Sequence, residues 1–412
     1  MSSKKRENEF DVIVVGGGIM GSCTAYQTAK RGYTTLLLDQ FDMLHYRGSS
    51  HGESRTLRVT YPESYYPCMV VESSKLWDEA QSEIGYKVLY PTNQLDIGQA
   101  SDRSLQAVIR SCQSNSIEFR VLDHAQVAKE YGGGVVVPED WIGVVSKGAG
   151  VIKPTKAVCM FQTLAFHNGA TLKDNRKVID IRKADDDTGG CVVATDKRET
   201  FYGRKCVISA GAWTNKLLKK VIGRDIPIKP LETTLWYWKV KEEYEKDYSI
   251  DGGFPTFAGY GCPYIYGTPS LEYPGLIKIG VHGGKFVDPD KRTWTPEPEL
   301  ADVIKNWVRD RFGGRVDHDR PISVQSCMYS MTPDEDYVID FIGGEFGKDV
   351  IVTGGFSGHG FKMGPVIGRV VADLVIHGQA KGVQLDYFKL ARFDKNPKGN
   401  IKEFSEQVAS KL

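Results

Sequence analysis

Gly16, Gly18 and Gly21 follow a short apolar run, Val12 to Val15, and spell Gly-x-Gly-x-x-Gly. In that place the pattern predicts a strand, a tight turn and a helix start that together bind a pyrophosphate. The first glycine permits the turn, the second lets backbone approach the phosphates, and the third lets the helix lie close on the strand. The helix N-terminus adds unpaired N–H groups and a partial positive charge. Small residues such as Ser22, Cys23, Ala25 and Ala29 keep that helix near the sheet, and Gly32 ends it. A second strand, Thr34 to Leu38, ends at Asp39, whose carboxylate can accept both hydroxyls of an adenosine ribose. An acid at this point favours an unphosphorylated ribose, as in FAD or NAD.

Further segments carry reactive side chains. GSSHGESRTLR, Gly48 to Arg58, holds His51, Arg55 and Arg58 directly after the second strand, where they gain weight as anion or flavin contacts. The i, i+3 spacing of the two arginines predicts a shared helical face. LIKIGVHGG, Leu276 to Gly284, alternates like a strand and places Lys278, Gly280 and His282 on one face. CMYSMTPDEDYVID, Cys327 to Asp340, and GGFSGHGFK, Gly354 to Lys362, complete the set. Taken singly, each has an ordinary reading: Cys327 a small buried hydrophobe, Lys278 a strand-edge charge, His282 and His359 turn residues, Lys362 a solvated helix cap.

The elements that must position these groups alternate along the chain. A helix is predicted from Tyr65 to Ile84, a strand from Val88 to Asp96, and a helix over Lys153 to His167 with Pro154 in its first turn. Three strands follow, Lys177–Arg182, Cys191–Thr195 and Thr200–Tyr202. Lys205–Ser209, leading into Ala210-Gly211-Ala212, then returns to the nucleotide-binding sheet. From Pro227 to Pro321 the pattern changes to aromatic-rich strands such as Thr233–Val240, read as an antiparallel sheet with one covered face, and a helix over Glu299–Arg311. A strand at Asp349–Thr353, a glycine-rich loop and a helix over Gly364–Ile376 close the chain, with Val366, Val370, Val371 and Leu374 as the buried stripe. The nucleotide domain is therefore discontinuous, with expected ranges 1–85, 150–220 and 321–412. Residues 86–149 and 221–320 form the second, substrate domain.

With 412 residues the chain can bury two substantial cores. Lysine plus arginine number 53 and aspartate plus glutamate 52, so no basic excess points to nucleic acid or an anionic membrane, and a small-molecule partner is expected. The eight cysteines show no C-x-x-C pair, which argues against zinc, and no secretory segment points to disulfides. No run reaches the length of a membrane span. The chain ends in Ser410-Lys411-Leu412, the peroxisomal address read by an import receptor.

Together these segments resemble the monomeric sarcosine oxidase family, specifically its plant peroxisomal sarcosine or L-pipecolate oxidase branch. The resemblance covers essentially the whole chain, and the Cys327–Asp336 and Gly355–Lys362 motifs are its most specific parts. It implies an α/β fold with an α+β second domain: a Rossmann-type, glutathione-reductase-like FAD domain beside an antiparallel-sheet substrate domain. By resemblance, Cys327 carries FAD as an 8α-thioether, and Arg58 and Lys362 hold the substrate carboxylate. Lys278 lies above the flavin face where oxygen is reduced, and His51 and Arg55 adjoin the flavin. Tyr266, His282 and Tyr329 surround the bound amine. Ser49, Val178, Gly211, Gly358 and Gly360 join Gly16, Gly18, Gly21, Asp39 and Lys362 as cofactor contacts. Two departures stand out: Val281, where the bacterial enzymes carry tyrosine, and the tyrosine enrichment at Tyr264, Tyr266 and Tyr273.

The implied activity is a monomeric, FAD-dependent oxidase that converts a secondary amino acid and O2 to an imine, or its hydrolysis products, and H2O2. A flavin oxidase of a larger N-methyl or cyclic alkaloid amine is the nearest alternative. A decayed flavin-binding redox sensor is the non-enzyme alternative.

Overall fold

The computed structural model describes residues 8–184, 189–295, 298–402 and 404, so Ser410, Lys411 and Leu412 lie outside the described residues. Two sheets organise the chain. In the first, Glu9–Val15 runs parallel to both Thr35–Leu38 and Thr200–Ile208, with Val15 level with Leu38 on one side and Ile208 on the other. Parallel register therefore delivers Gly16, Asp39 and Ser209 to the same edge, the carboxyl ends where such sheets bind ligands. Val350–Gly354 extends the sheet in parallel beyond Thr200–Ile208, and Thr171–Lys173 extends it beyond Thr35–Leu38.

Alternation along these strands fills two cores. Val12, Val14, Leu37, Val207 and Ile351 pack with helices Ile19–Lys30, Pro154–His167 and Gly364–His377, whereas Ile13, Val15, Leu36, Leu38, Cys206 and Ile208 pack on the opposite face. The predicted Thr200–Tyr202 and Lys205–Ser209 segments are one continuous strand. Gly203 lets it pass Ile13, whose side chain would stand 2.9 Å from an added Cβ.

The second sheet is built mainly from Leu89–Gln99, Trp141–Ile152, Lys229–Lys239, Thr256–Gly259, Ile265–Thr268, Leu276–Val281 and Ser323–Met331. Its pairings are antiparallel except for Thr256–Gly259 against Leu89–Gln99. Lys229–Lys239 is buried from Leu231 to Trp238, so both faces are covered, unlike the one-sided sheet expected. Trp236 and Trp238 face Ile304 and Val308 of the helix Pro298–Arg311, while Thr233 and Leu235 face a cavity.

Arg55–Leu57 is not helical as its spacing predicted; it is a strand paired antiparallel with Gly150–Ile152. The preceding glycine- and serine-rich segment lacks an apolar helical face, and β-branched Thr56 fits the sheet. This strand and Ser323–Met331, inside ranges expected for the nucleotide domain, pair in the second sheet.

Candidate functional site

A cavity of about 640 Å³ runs between the two sheets, lined at one end by Gly16, Gly18 and Asp39 and elsewhere by Lys278, Cys327 and Lys362. Gly16 has φ +107°, and a Cβ there would stand 2.4 Å from Ser209 O. Only glycine fits. A Cβ on Gly21 would meet Gly16 O at 1.8 Å, so Gly21 serves helix-to-strand packing and does not line the cavity. Ser50 Oγ accepts from Ile19 N–H at 3.1 Å. The first intrahelical bond is Ser22 N–H to Gly18 O, so other amides of the first turn stay available to an anion. Asp39 Oδ2 accepts from Gly17 N–H at 2.7 Å and Oδ1 from Phe41 N–H at 2.8 Å. The carboxylate thus fixes the glycine turn, and its remaining lone pairs can meet a ribose. Ser49 Oγ and Ser209 Oγ are buried at this cavity without a hydrogen-bond partner among the described residues. A glycine cradle closed to a Cβ at Gly16 and Gly21, a terminal acid and buried hydroxyls unpartnered among the described residues, in one long cavity, fit a dinucleotide such as FAD. Val178, Gly211, Gly358 and Gly360 line the same cavity.

Cys327 lies on Ser323–Met331 opposite Thr233 and is buried in the cavity wall. Burial pushes its thiol up, but the charge of Arg55 and the imidazole of His51 outweigh that and bring it to about 6. Arg55 Nη2 donates toward Cys327 Sγ at 3.5 Å and to the carbonyls of Ser49 and His51 at 3.1 and 2.6 Å. His51 is buried and does not line the cavity; its carbonyl accepts from Arg55. Arg292, which sequence reasoning missed, donates to Cys327 O at 3.3 Å and Ser326 Oγ at 2.8 Å while paired with buried Glu232 at 3.2 Å. It fixes the strand at the cysteine.

Lys278 is buried, and its Nζ donates to Ser54 O at 2.6 Å. Burial, then the charge of Arg55, holds its ammonium well below the usual lysine range. Gly280 pairs with Tyr266 in the next strand, and a Cβ there would stand 2.9 Å from the Tyr266 ring. The missing side chain makes room for the tyrosine. Tyr266 and Tyr329 share a hydroxyl hydrogen bond of 2.8 Å, and His282 Nε2 lies 3.4 Å from a Glu335 carboxylate oxygen. Tyr264 lines the cavity too, but Tyr273 does not; it packs edge-on against Tyr237.

Arg58 and Lys362 converge on Tyr61. The Arg58 guanidinium lies 4.9 Å from the Tyr61 ring centre and donates to Tyr264 OH at 3.2 Å. Lys362 Nζ donates to Tyr61 OH and to His359 O, both at 2.8 Å. Among the described residues neither cation makes a carboxylate ion pair. Burial, then the Arg58 charge, pushes the Lys362 ammonium well below its ordinary value. A bound carboxylate would satisfy both. His359, expected to be a turn residue, is a half-buried organiser: Nε2 bonds Glu335 O at 2.9 Å, while Nδ1 accepts from Tyr337 and Tyr61 at 2.9 and 3.1 Å. Desolvation, then the charge of Lys362, holds its imidazole well below the ordinary histidine value. Tyr61 and Glu335 carried no signal of their own in the sequence.

Comparison with known proteins gives three concordant findings. Residues 11–374 match the family model described as FAD dependent oxidoreductase. The chain is 58% identical over 404 residues to a probable sarcosine oxidase of Arabidopsis thaliana, covering 98% of this chain and 97% of that one. It is 32% identical over 399 residues to the peroxisomal sarcosine oxidase of Homo sapiens, covering 95% and 98%. In fold it matches L-proline dehydrogenase from P. horikoshii with a TM-score of 0.79 at 21% identity, covering 95% and 99%.

Proposed function

The chain belongs to the sarcosine oxidase group of the FAD dependent oxidoreductases, flavin-dependent oxidases acting on CH–NH donors, and on that premise we propose its particular reaction. It oxidises a small secondary amino acid, sarcosine or L-pipecolate, to an imine, with O2 as acceptor and H2O2 as product. The observation that carries this reading is the meeting of half-buried Arg58 and buried Lys362 on Tyr61, two basic groups without a carboxylate ion pair among the described residues, although the charge of buried Asp96 acts on Arg58, in the cavity that also holds the dinucleotide cradle.

Bound FAD supplies the two-electron chemistry, taking a hydride equivalent from the carbon beside nitrogen and passing the electrons to O2. The chain's own groups prepare that event. Arg58 and Lys362 fix the carboxylate by charge-assisted hydrogen bonds. Tyr264, Tyr266 and Tyr329 wall the amine and displace water, which disfavours an ammonium and leaves the nitrogen lone pair free. Lys278 Nζ is placed to stabilise, electrostatically, negative charge developing on oxygen. Cys327 tethers the cofactor covalently, with His51, Arg55 and Arg292 setting the sulfur's charge and place. We assign residues 1–85, 150–220 and 321–412 to cofactor binding and 86–149 and 221–320 to the substrate side, with Arg55–Leu57 and Ser323–Met331 crossing between them. The enzyme acts as a monomer in the peroxisome, imported through Ser410-Lys411-Leu412. The peroxisomal name of the human relative supports that location.

The test is peroxide production by the purified protein in air, with sarcosine and L-pipecolate beside larger carboxylate-free N-methyl amines. Turnover of either acid is expected. Silence on both, with turnover of a larger amine, would replace the amino-acid reading with the alkaloid one. Arg58→Ala should raise KM for the acid about a hundredfold, the scale of a buried charged hydrogen-bond partner removed. An unchanged KM would remove Arg58 from the carboxylate clamp.

A further inference from the structure

The chain's last described segment packs behind the wall of the cavity and bonds residues of that wall. Arg392 pairs with buried Asp334 at 2.7 Å, and Asn400 bonds Asp334 through its backbone N–H and Asp336 through its side chain, at 2.9 and 2.8 Å. Lys402 Nζ lies 2.8 Å from Glu63 Oε1 and 3.2 Å from Asp336 Oδ1. Asp336 Oδ1 also accepts from Tyr65 and Tyr66 at 2.7 and 2.8 Å. Between the two aspartates, Glu335 points the other way: it lines the cavity, faces His282, and its carbonyl accepts from His359. Glu63 lines the cavity as well.

Two carboxylates, Glu63 and Glu335, thus line a pocket read above as binding an anion, and two more, Asp334 and Asp336, lie directly behind that wall. That arrangement opposes its function unless the charges are balanced. His282 faces Glu335, and the strap supplies the counter-charges for the other three through Arg392 and Lys402. Lys402 is the one that reaches a carboxylate on the cavity itself.

We propose that Lys402, brought in by the C-terminal strap, is a positioning residue of the substrate site: by neutralising Glu63 and Asp336 it lets the neighbouring pocket accept a carboxylate. The proposal rests on the carboxylate-clamp reading of Arg58 and Lys362. Removing one partner of a buried pair leaves the other charge uncompensated. Lys402→Met keeps the apolar stem and removes only the charge.

The experiment measures binding to the holoenzyme by perturbation of its visible spectrum, with propionate and propylamine as probes. Lys402→Met should weaken propionate about tenfold, the effect of one poorly screened charge beside the site, while propylamine binds no more weakly than before. The KM of the amino-acid substrate should rise in parallel, with kcat within about twofold. Lys402→Arg should bind propionate like the native protein, and Glu63→Gln in the Lys402→Met background should recover most of the loss. Glu63→Gln alone, which keeps Lys402, should tighten propionate and keeps the idea testable where Lys402→Met does not accumulate. Equal weakening of both probes, no recovery in the double variant, or weaker propionate binding in Glu63→Gln would overturn it. Native protein that fails to bind propionate at all would instead overturn the carboxylate clamp.

Discussion

Denatured in acid, the Cys327→Ser protein is expected to release its yellow colour into the supernatant, whereas the native protein keeps it in the pellet. A buried thiol surrounded by apolar groups is raised and inert. Cys327 is buried, yet Arg55, 3.5 Å away, and His51 bring it to about 6, so at neutral pH the thiolate predominates. Serine keeps the size and the strand and cannot ionise in this range. The change is all-or-none because attachment is one C–S bond. Attachment to apoprotein supplied with FAD should rise as pH passes upward through about 6 and level off above it, following ionisation of this group. Colour retained by the Cys327→Ser pellet would end the covalent assignment.

The parts of the site that were legible in the sequence are those whose meaning is local. A strand, Gly16, Gly18, Gly21, a helix and Asp39 follow one another in the order in which they act, so spacing alone conveys the cradle. Cys327, Lys278 and Lys362 have ordinary readings singly and gained meaning only from the motifs around them. What stayed hidden depends on register between distant segments. Tyr61 matters because Arg58 and Lys362 close on it, although Lys362 lies 301 residues away. Arg292 matters because a turn after one strand lays it along the backbone of another. Lys402 is a solvated lysine in any local reading, and only the fold shows it between Glu63 and Asp336. The Arg55 and Arg58 spacing misled for the complementary reason. Their separation fits a helix, but pairing with Gly150–Ile152 decides the backbone, as tertiary pairing does over short segments.

Lys278→Met carries the other large effect: turnover with O2 should fall about 10²- to 10³-fold, the cost of losing one preorganised electrostatic partner of a developing anion. Propionate binding should stay within about twofold, and turnover with an artificial electron acceptor should fall far less. The reason is differential. Nζ is buried, bonded to Ser54 O, and held well below the ordinary lysine value by burial and Arg55. It gives little to a neutral ground state and most when negative charge appears beside it and draws a proton onto the amine. Methionine matches the length and burial and offers no proton. The same depression has a stability consequence of definite sign. Between its lowered folded value and the ordinary lysine value the unfolded chain binds more protons, so Lys278 makes stability rise with pH across that window. Lys278→Met should remove that part of the slope and unfold no more easily than the native protein at neutral pH. Loss of oxygen and artificial-acceptor turnover in equal measure would show that Lys278 serves amine oxidation itself, and the oxygen-specific role would fall.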